Sequence, residues 1–189
     1  MSIEVQDTAI AGVKLITPAV FEDERGYFFE SWQKFKFAEL GIDAEFLQDN
    51  QSFSRRGTLR GVHLQIAHPQ GKLVQVCRGE VFDVAVDLRP DSPTVGQWTG
   101  AHLSDRNHRM LWIPPGLGHA FLVLSEEAVF SYKCTDIYYP DDQYTLAWDD
   151  PDVAIDWPAI PGLDEYVLSA KDREGRSLDE ILDLIRRAG

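Results

Sequence analysis

Short runs in which apolar and polar residues alternate dominate the middle of this chain. Phe82, Val84, Val86 and Leu88 fall on every second position with Asp83, Ala85 and Asp87 between them. That pattern predicts a β-strand over Val81–Leu88 with one apolar face and one small, acidic face. The acidic face suits the lining of a cavity better than a packed core. Leu73–Cys77 reads as the strand before it, and Arg78-Gly79-Glu80 as a Gly-containing hairpin connection between the two. Further strands are expected at Val13–Thr17, Tyr27–Trp32, Gln97–Leu103, Met110–Ile113, Ala120–Leu124 and Val129–Thr135, the last three punctuated by Pro114-Pro115-Gly116 and Ser125-Glu126-Glu127. Many short strands separated by turns predict an antiparallel sandwich or barrel. Helical signals are few. One helix is expected near Lys34–Leu40, ended by Gly41 in a left-handed cap. Another is C-terminal, where Ser177-Leu178-Asp179-Glu180 forms a capping box and Leu178, Ile181, Leu182 and Ile185 make one apolar stripe.

A length of 189 residues, 44% hydrophobic and 26% charged, fits one soluble domain over 1–189. No apolar run approaches the roughly 18 residues of a membrane span. The polar, acidic stretch Met1–Ile10 is unlike a signal peptide. Cys77 and Cys134 lie in apolar, strand-like surroundings and are expected to be buried and reduced, which agrees with a cytoplasmic protein. With 31 Asp+Glu against 18 Lys+Arg, the formal net charge of −13 argues against nucleic acid or an anionic membrane as partner.

Against that background the segment Gln51–Gly79 contains no acidic residue and carries Arg55, Arg56, Arg60, Lys72 and Arg78 with His63 and His68. A cationic island in an acidic chain points to a small anionic ligand, for which Arg offers a planar fork and Lys a point charge. His63, two residues from Gln65 on one expected strand face, has the right unperturbed pKa for a base near neutrality. His119 closes the turn Pro114–Gly118 and enters an apolar strand, aimed at a barrel mouth. Two histidines from separate strands raise the question of metal, but Gln65 stands where another imidazole would be needed and no acid follows before Glu80. On residue type alone, Tyr132 reads as packing, Lys171-Asp172 as a solvated pair, and Arg25-Gly26 as a charged turn.

Taken in order, Asp23-Glu24-Arg25-Gly26-Tyr27-Phe28-Phe29-Glu30, Gln48-Asp49-Asn50, Leu59-Arg60-Gly61-Val62-His63-Leu64-Gln65, Gly71-Lys72-Leu73-Val74, Gly79-Glu80-Val81-Phe82-Asp83-Val84, Trp112-Ile113-Pro114-Pro115-Gly116, His119, Tyr132-Lys133 and Ser169-Ala170-Lys171-Asp172 resemble the dTDP-4-dehydrorhamnose 3,5-epimerase family nearly end to end. The resemblance implies a mainly β, cupin-type antiparallel jelly roll that uses no metal or other cofactor and forms a homodimer sharing strands across its interface. It implies a dTDP-linked 4-keto-6-deoxyhexose as substrate, inverted at C3 and C5 through enolates in dTDP-L-rhamnose-type biosynthesis. On matching positions His63 resembles the base, with Asp172, or alternatively Asp83, hydrogen-bonded behind it. Tyr132 resembles the acid on the opposite face, and Lys72 the group that holds the enolate oxygen. Arg60 and His119 resemble sugar contacts. Arg25, Glu30, Gln48, Asn50, Gln143 and Lys171 match substrate-binding positions, and Tyr138 a stacking platform for the base. The chain departs from the family pattern at Leu64, where an aromatic is common, at Gly118-His119-Ala120, and at Gln143, often Glu. Epimerisation at one carbon only, a metal-dependent cupin enzyme and a non-catalytic sugar-binding cupin are the alternatives.

Overall fold

In the structure, a computed structural model describing residues 2–188, two antiparallel sheets face each other. In chain order the strands are β1 (Glu4–Asp7), β2 (Lys14–Thr17), β3 (Phe21–Asp23), β4 (Gly26–Phe28), β5 (Gln48–Arg55), β6 (Leu59–Gln65), β7 (Lys72–Arg78), β8 (Glu80–Asp87), β9 (Trp98–Ser104), β10 (Met110–Ile113), β11 (Leu117–Val123), β12 (Glu127–Cys134) and β13 (Gln143–Thr145). The helices are α1 (Lys34–Glu39), α2 (Ala170–Arg173) and α3 (Leu178–Ala188). One sheet runs β1-β2-β10-β7-β12-β5 and the other β13-β6-β11-β8-β9, with β3 and β4 paired only to each other. This is the antiparallel sandwich that the strand pattern predicts, in the mainly β jelly-roll form that the resemblance implies.

The sheets bury their facing sides and much of their outer sides, while one face of β5 stays exposed, and three apolar layers show why. Between the sheets, Val74, Val76, Leu111 and Ile113 meet Val81, Ala85, Leu103 and Phe121. Outside the second sheet, Val62, Leu64, Phe82, Val84 and Val86 are covered by Leu146, Val153 and Ile181 from the C-terminal third. Outside the first, Ile16, Leu73, Met110 and Trp112 pack on Phe37 and Ile42 around α1. Each fully buried aliphatic or aromatic side chain contributes about 1.5–3 kcal/mol relative to an exposed one. The apolar stripe of α3 does what its spacing predicts, with Ile181 and Leu182 buried on the sheet. Its capping box forms as expected: Ser177 N–H donates to Glu180 (2.9 Å) and Glu180 N–H to Ser177 Oγ (3.3 Å). Asp150 adds a second anchor, accepting Leu178 N–H at 3.0 Å.

Three expectations need correction. Arg78-Gly79-Glu80 is not a hairpin: β7 and β8 belong to different sheets, so the chain crosses the sandwich at this point. Gly79 has φ +84, and a Cβ there would meet the Glu127 carbonyl at 2.1 Å, so the crossing needs glycine. The expected strand Tyr27–Trp32 shrinks to the end of a short hairpin, Phe21–Asp23 with Gly26–Phe28. Cys77 is exposed, since it faces outward on β7, whereas Cys134 is buried; both are free thiols. Among the described residues no helix is long and apolar enough to cross a membrane.

Candidate active site

The inward faces of the two sheets are set by register. On the first sheet Tyr132 lies between Asn50 and Val74, and Cys134 between Gln48 and Lys72. Because side chains alternate, Gln48, Asn50, Ser52, Lys72 and Tyr132 therefore share one face. On the second sheet His63 is paired directly with His119. These two faces open at one end of the sandwich into a cavity of about 300 Å³, lined by Gln48, Asn50, Arg60, His63, Lys72, His119, Tyr132, Tyr138 and Gln143 among others. Nine of the thirteen expected site residues are thus brought together.

A tenth, Asp172, stands behind the wall. Val167 pairs with the start of β6 through Leu59 N–H to Val167 O (3.0 Å) and Val167 N–H to Gly57 O (2.8 Å), which carries the following segment beneath His63. Ser169 then caps α2, and Asp172 is 3% exposed. Its Oδ1 lies 2.6 Å from His63 Nε2 and accepts Gly61 N–H at 3.3 Å, while Oδ2 accepts Ser169 Oγ–H at 2.7 Å. Burial opposes the charge on Asp172, but the bonds from His63, Ser169 and Gly61 outweigh it and hold the carboxyl below its ordinary range. An ionised Asp172 fixes the proton of His63 on Nε2, leaving Nδ1 free to accept one. Gly61 is needed where β6 lies against β11: with φ +110, a Cβ there would meet the His119 carbonyl at 2.5 Å.

The alternative partner, Asp83, serves the other histidine. Asp83 Oδ2 bonds His119 Nε2 at 2.9 Å, and both side chains are buried. Asp83 does not line the cavity but lies beneath it, and Asp87 is turned to its own loop, bonded by Arg89, Ser92 and Thr94. The acidic face of β8 is therefore a buried support rather than a cavity wall. Loss of water lowers His119 below the ordinary imidazole range, opposed by Asp83, and raises Asp83 against the pull of His119 and Lys72. Loss of water likewise lowers Lys72, with Cys134 and Asp83 opposing. Burial raises the Tyr132 phenol, so it keeps its proton well past neutrality. Lys72 has no side-chain hydrogen bond or ion pair among the described residues, which leaves its ammonium available to an oxygen in the cavity. Of the cationic island only Arg60, His63 and Lys72 converge here. Arg56 and Arg78 pair outward with Glu126 (3.4 Å) and Glu127 (2.8 Å).

Three expected residues are not in this cavity. Arg25 sits at the exposed β3–β4 turn, bonded to Asp23. Glu30 pairs with Lys36 at 2.8 Å. Lys171 is exposed on α2, because helical geometry turns it away from its buried neighbour Asp172. Others were missed. Ser52 continues the every-second-residue run Gln48, Asn50 into the cavity, and its Oγ is buried without a partner. Gln65 and Gln70 also reach the wall. Gln65, considered only as a poor metal ligand, has its amide engaged by backbone: Nε2 donates to His68 O (2.8 Å) and Ile137 O (3.3 Å), and Oε1 accepts Tyr139 N–H (2.9 Å). Among the described residues no three His, Cys, Asp or Glu side chains cluster as metal ligands.

Comparison with known proteins fits this geometry. The family model described as dTDP-4-dehydrorhamnose 3,5-epimerase matches residues 7–180. The enzyme of that name from Methanothermobacter thermautotrophicus is 51% identical over 92% of this chain and 93% of its own length. The one from Pseudomonas aeruginosa is 52% identical over 89% and 92%. The solved structure of dTDP-6-deoxy-D-glucose-3,5-epimerase from Legionella pneumophila, in complex with dTDP-4-keto-L-rhamnose, superposes with a TM-score of 0.90 at 48% identity, covering 94% of this chain and 93% of that one.

Proposed function

This chain belongs to the dTDP-4-dehydrorhamnose 3,5-epimerase family, and on that premise we propose that it inverts C3 and C5 of dTDP-4-dehydro-6-deoxyglucose as a step towards dTDP-L-rhamnose. One observation carries the reading. A histidine oriented by a buried carboxylate arrives from one sheet, and a protonated tyrosine and an unpaired lysine arrive from the other.

The substrate's C3 and C5 protons are each acidified by the C4 ketone between them. His63 Nδ1 takes the proton, the C–H electrons move into the C3–C4 (or C4–C5) bond, and charge collects on the C4 oxygen. Lys72 lies where it can donate to that oxygen, and preorganised charge in a water-poor site stabilises an enolate by several kcal/mol. Tyr132 returns a proton to the opposite face of the carbon, which completes inversion. The imidazolium and phenolate so formed exchange protons with solvent before the next step. Arg60 and His119 contact the sugar, Asp83 orienting His119. Gln48, Asn50 and Gln143 contact the nucleotide end, where Tyr138 stacks on the base. No step requires a metal.

Arg25 and Glu30 join this assignment through a second copy of the chain. The β3–β4 hairpin that carries Arg25 leaves Phe21 55% and Phe28 71% exposed, an apolar surface suited to burial in a homodimer. Light scattering should give twice the monomer mass at micromolar concentration; a monomer refutes this part. One jelly-roll domain spanning the chain, acting in the cytoplasm, completes the reading, in keeping with its free cysteines.

The decisive experiment is incubation with dTDP-4-keto-6-deoxyglucose in D₂O, followed by product identification. Solvent deuterium at both C3 and C5 with the L-configured product is expected. Label at C3 alone makes the protein a single-carbon epimerase, and label at neither refutes enolate chemistry.

A further inference from the structure

Tyr138 is 43% exposed, yet the backbone that presents it is tied down on both sides. Its own N–H donates to Gln48 Oε1 at 2.8 Å and the next N–H, of Tyr139, to Gln65 Oε1 at 2.9 Å. The other half of the Gln65 amide donates to the carbonyls of Ile137 (3.3 Å) and of His68 on the neighbouring loop (2.8 Å). That neighbouring loop is itself held by Asp142, whose carboxylate accepts the N–H groups of Ile66 (3.2 Å), Ala67 (3.0 Å) and His68 (2.8 Å). The His68 and Tyr139 rings stack at 3.9 Å and 18°. Gln70 closes the far end by donating to Asp136 O at 2.8 Å.

Surface loops are ordinarily mobile. Here residues 65–71 and 135–143 are zipped into one rim of the cavity, and among the described residues Gln65 is the one β6 side chain bonded to both loops, two residues from His63. It is 6% exposed, and three backbone bonds use it fully. Apart from its ring, Tyr138 keeps little freedom, and its hydroxyl is given to Gln143 Oε1. A planar side chain on so constrained a backbone has already lost the entropy that stacking on a base would otherwise cost.

We propose that Gln65 is a positioning residue that fixes the rim presenting Tyr138 to a planar nucleobase. It acts on binding of the nucleoside end and not on proton transfer. The inference rests on the functional reading above. Gln65→Met keeps the side chain's length and removes all three bonds. The dissociation constant for dTDP alone, measured by calorimetry, should rise at least about ten-fold, KM should follow it, and kcat should stay within about three-fold. In a Tyr138→Ala background the same substitution should weaken dTDP binding by less than about two-fold, because residues acting through one contact are non-additive. Unchanged dTDP affinity in Gln65→Met, or full additivity with Tyr138→Ala, overturns the proposal. If Gln65→Met does not fold, Asp142→Asn loosens the same rim from the other loop and is judged by the same two measurements. Wild-type protein that turns over the keto sugar while Gln65→Met binds dTDP normally refutes the rim alone. Wild-type protein that neither binds dTDP nor turns over refutes the functional reading, and this inference with it.

Discussion

Replacing Asp172 by Asn tests the site at its least obvious point, a carboxylate that touches no part of the cavity. The substitution keeps volume but removes the charge 2.6 Å from His63 Nε2, and with one acceptor oxygen in place of two it can accept only one of the bonds from Ser169 and Gly61. When His63 takes a substrate proton it becomes an imidazolium beside that carboxylate. Two unit charges about 4 Å apart attract by about 4 kcal/mol at an effective dielectric constant near 20. A neutral amide recovers about 1 kcal/mol of this through an ordinary hydrogen bond. The loss of roughly 3 kcal/mol corresponds to a fall in kcat of about 10²-fold. An amide that donates to Nε2 would also move the ring proton to Nδ1 and block the base, which pushes the loss towards 10³–10⁴-fold, as when other oriented imidazoles lose their carboxylate. The assay is initial-rate epimerisation of the dTDP-linked keto sugar, with dTDP affinity and circular dichroism as controls. Native-like affinity and spectrum with kcat lowered at least about 100-fold is expected. A folded Asp172→Asn whose kcat stays within three-fold of wild type refutes the argument that a charged Asp172 stabilises the imidazolium.

The remaining expectations are briefer. Tyr132→Phe should still exchange solvent deuterium into C3 or C5 while losing most inversion, because His63 can return a deuteron only to the face it came from; full loss of exchange would make Tyr132 part of the first step. Dialysis against a strong chelator should leave turnover unchanged, and activity restored only by added zinc, iron or manganese would reverse the metal-free assignment. Asp87 is buried, and although burial alone would raise its carboxyl, bonds from Arg89, Ser92 and Thr94 hold it far below its unfolded value of about 3.9. A depressed native pKa stabilises the fold above that unfolded value, and the contribution is lost as pH falls further. Asp87→Asn should therefore cost about 2 kcal/mol in urea denaturation at pH 7 and distinctly less at pH 3, and a gap that does not narrow with acid would refute the linkage.

The residues themselves determined more here than is usual for a β-rich chain. Period-two alternation placed β8 on a strand, and Met110–Ile113 was legible as a short apolar run stopped by Pro114-Pro115-Gly116. The capping box and stripe placed α3, because these signals depend on neighbours along the chain. The order of short motifs from Arg25 to Asp172 pointed to the family, and with it to His63, Lys72 and Tyr132, before any distance was known. Pairing between distant segments was decided only by the tertiary structure. Nothing near Arg78-Gly79-Glu80 says that the chain crosses between sheets there instead of folding back, since both routes want a glycine with positive φ. Exposure of Cys77 and burial of Asp172 were equally hidden, because each depends on which face another part of the chain covers. The choice between Asp172 and Asp83 as partner of His63 was settled by Val167 pairing beside β6. Gln65 looked like an absence in the sequence, a missing ligand. Its three backbone bonds exist only once two loops that lie some seventy residues apart are folded onto the same strand.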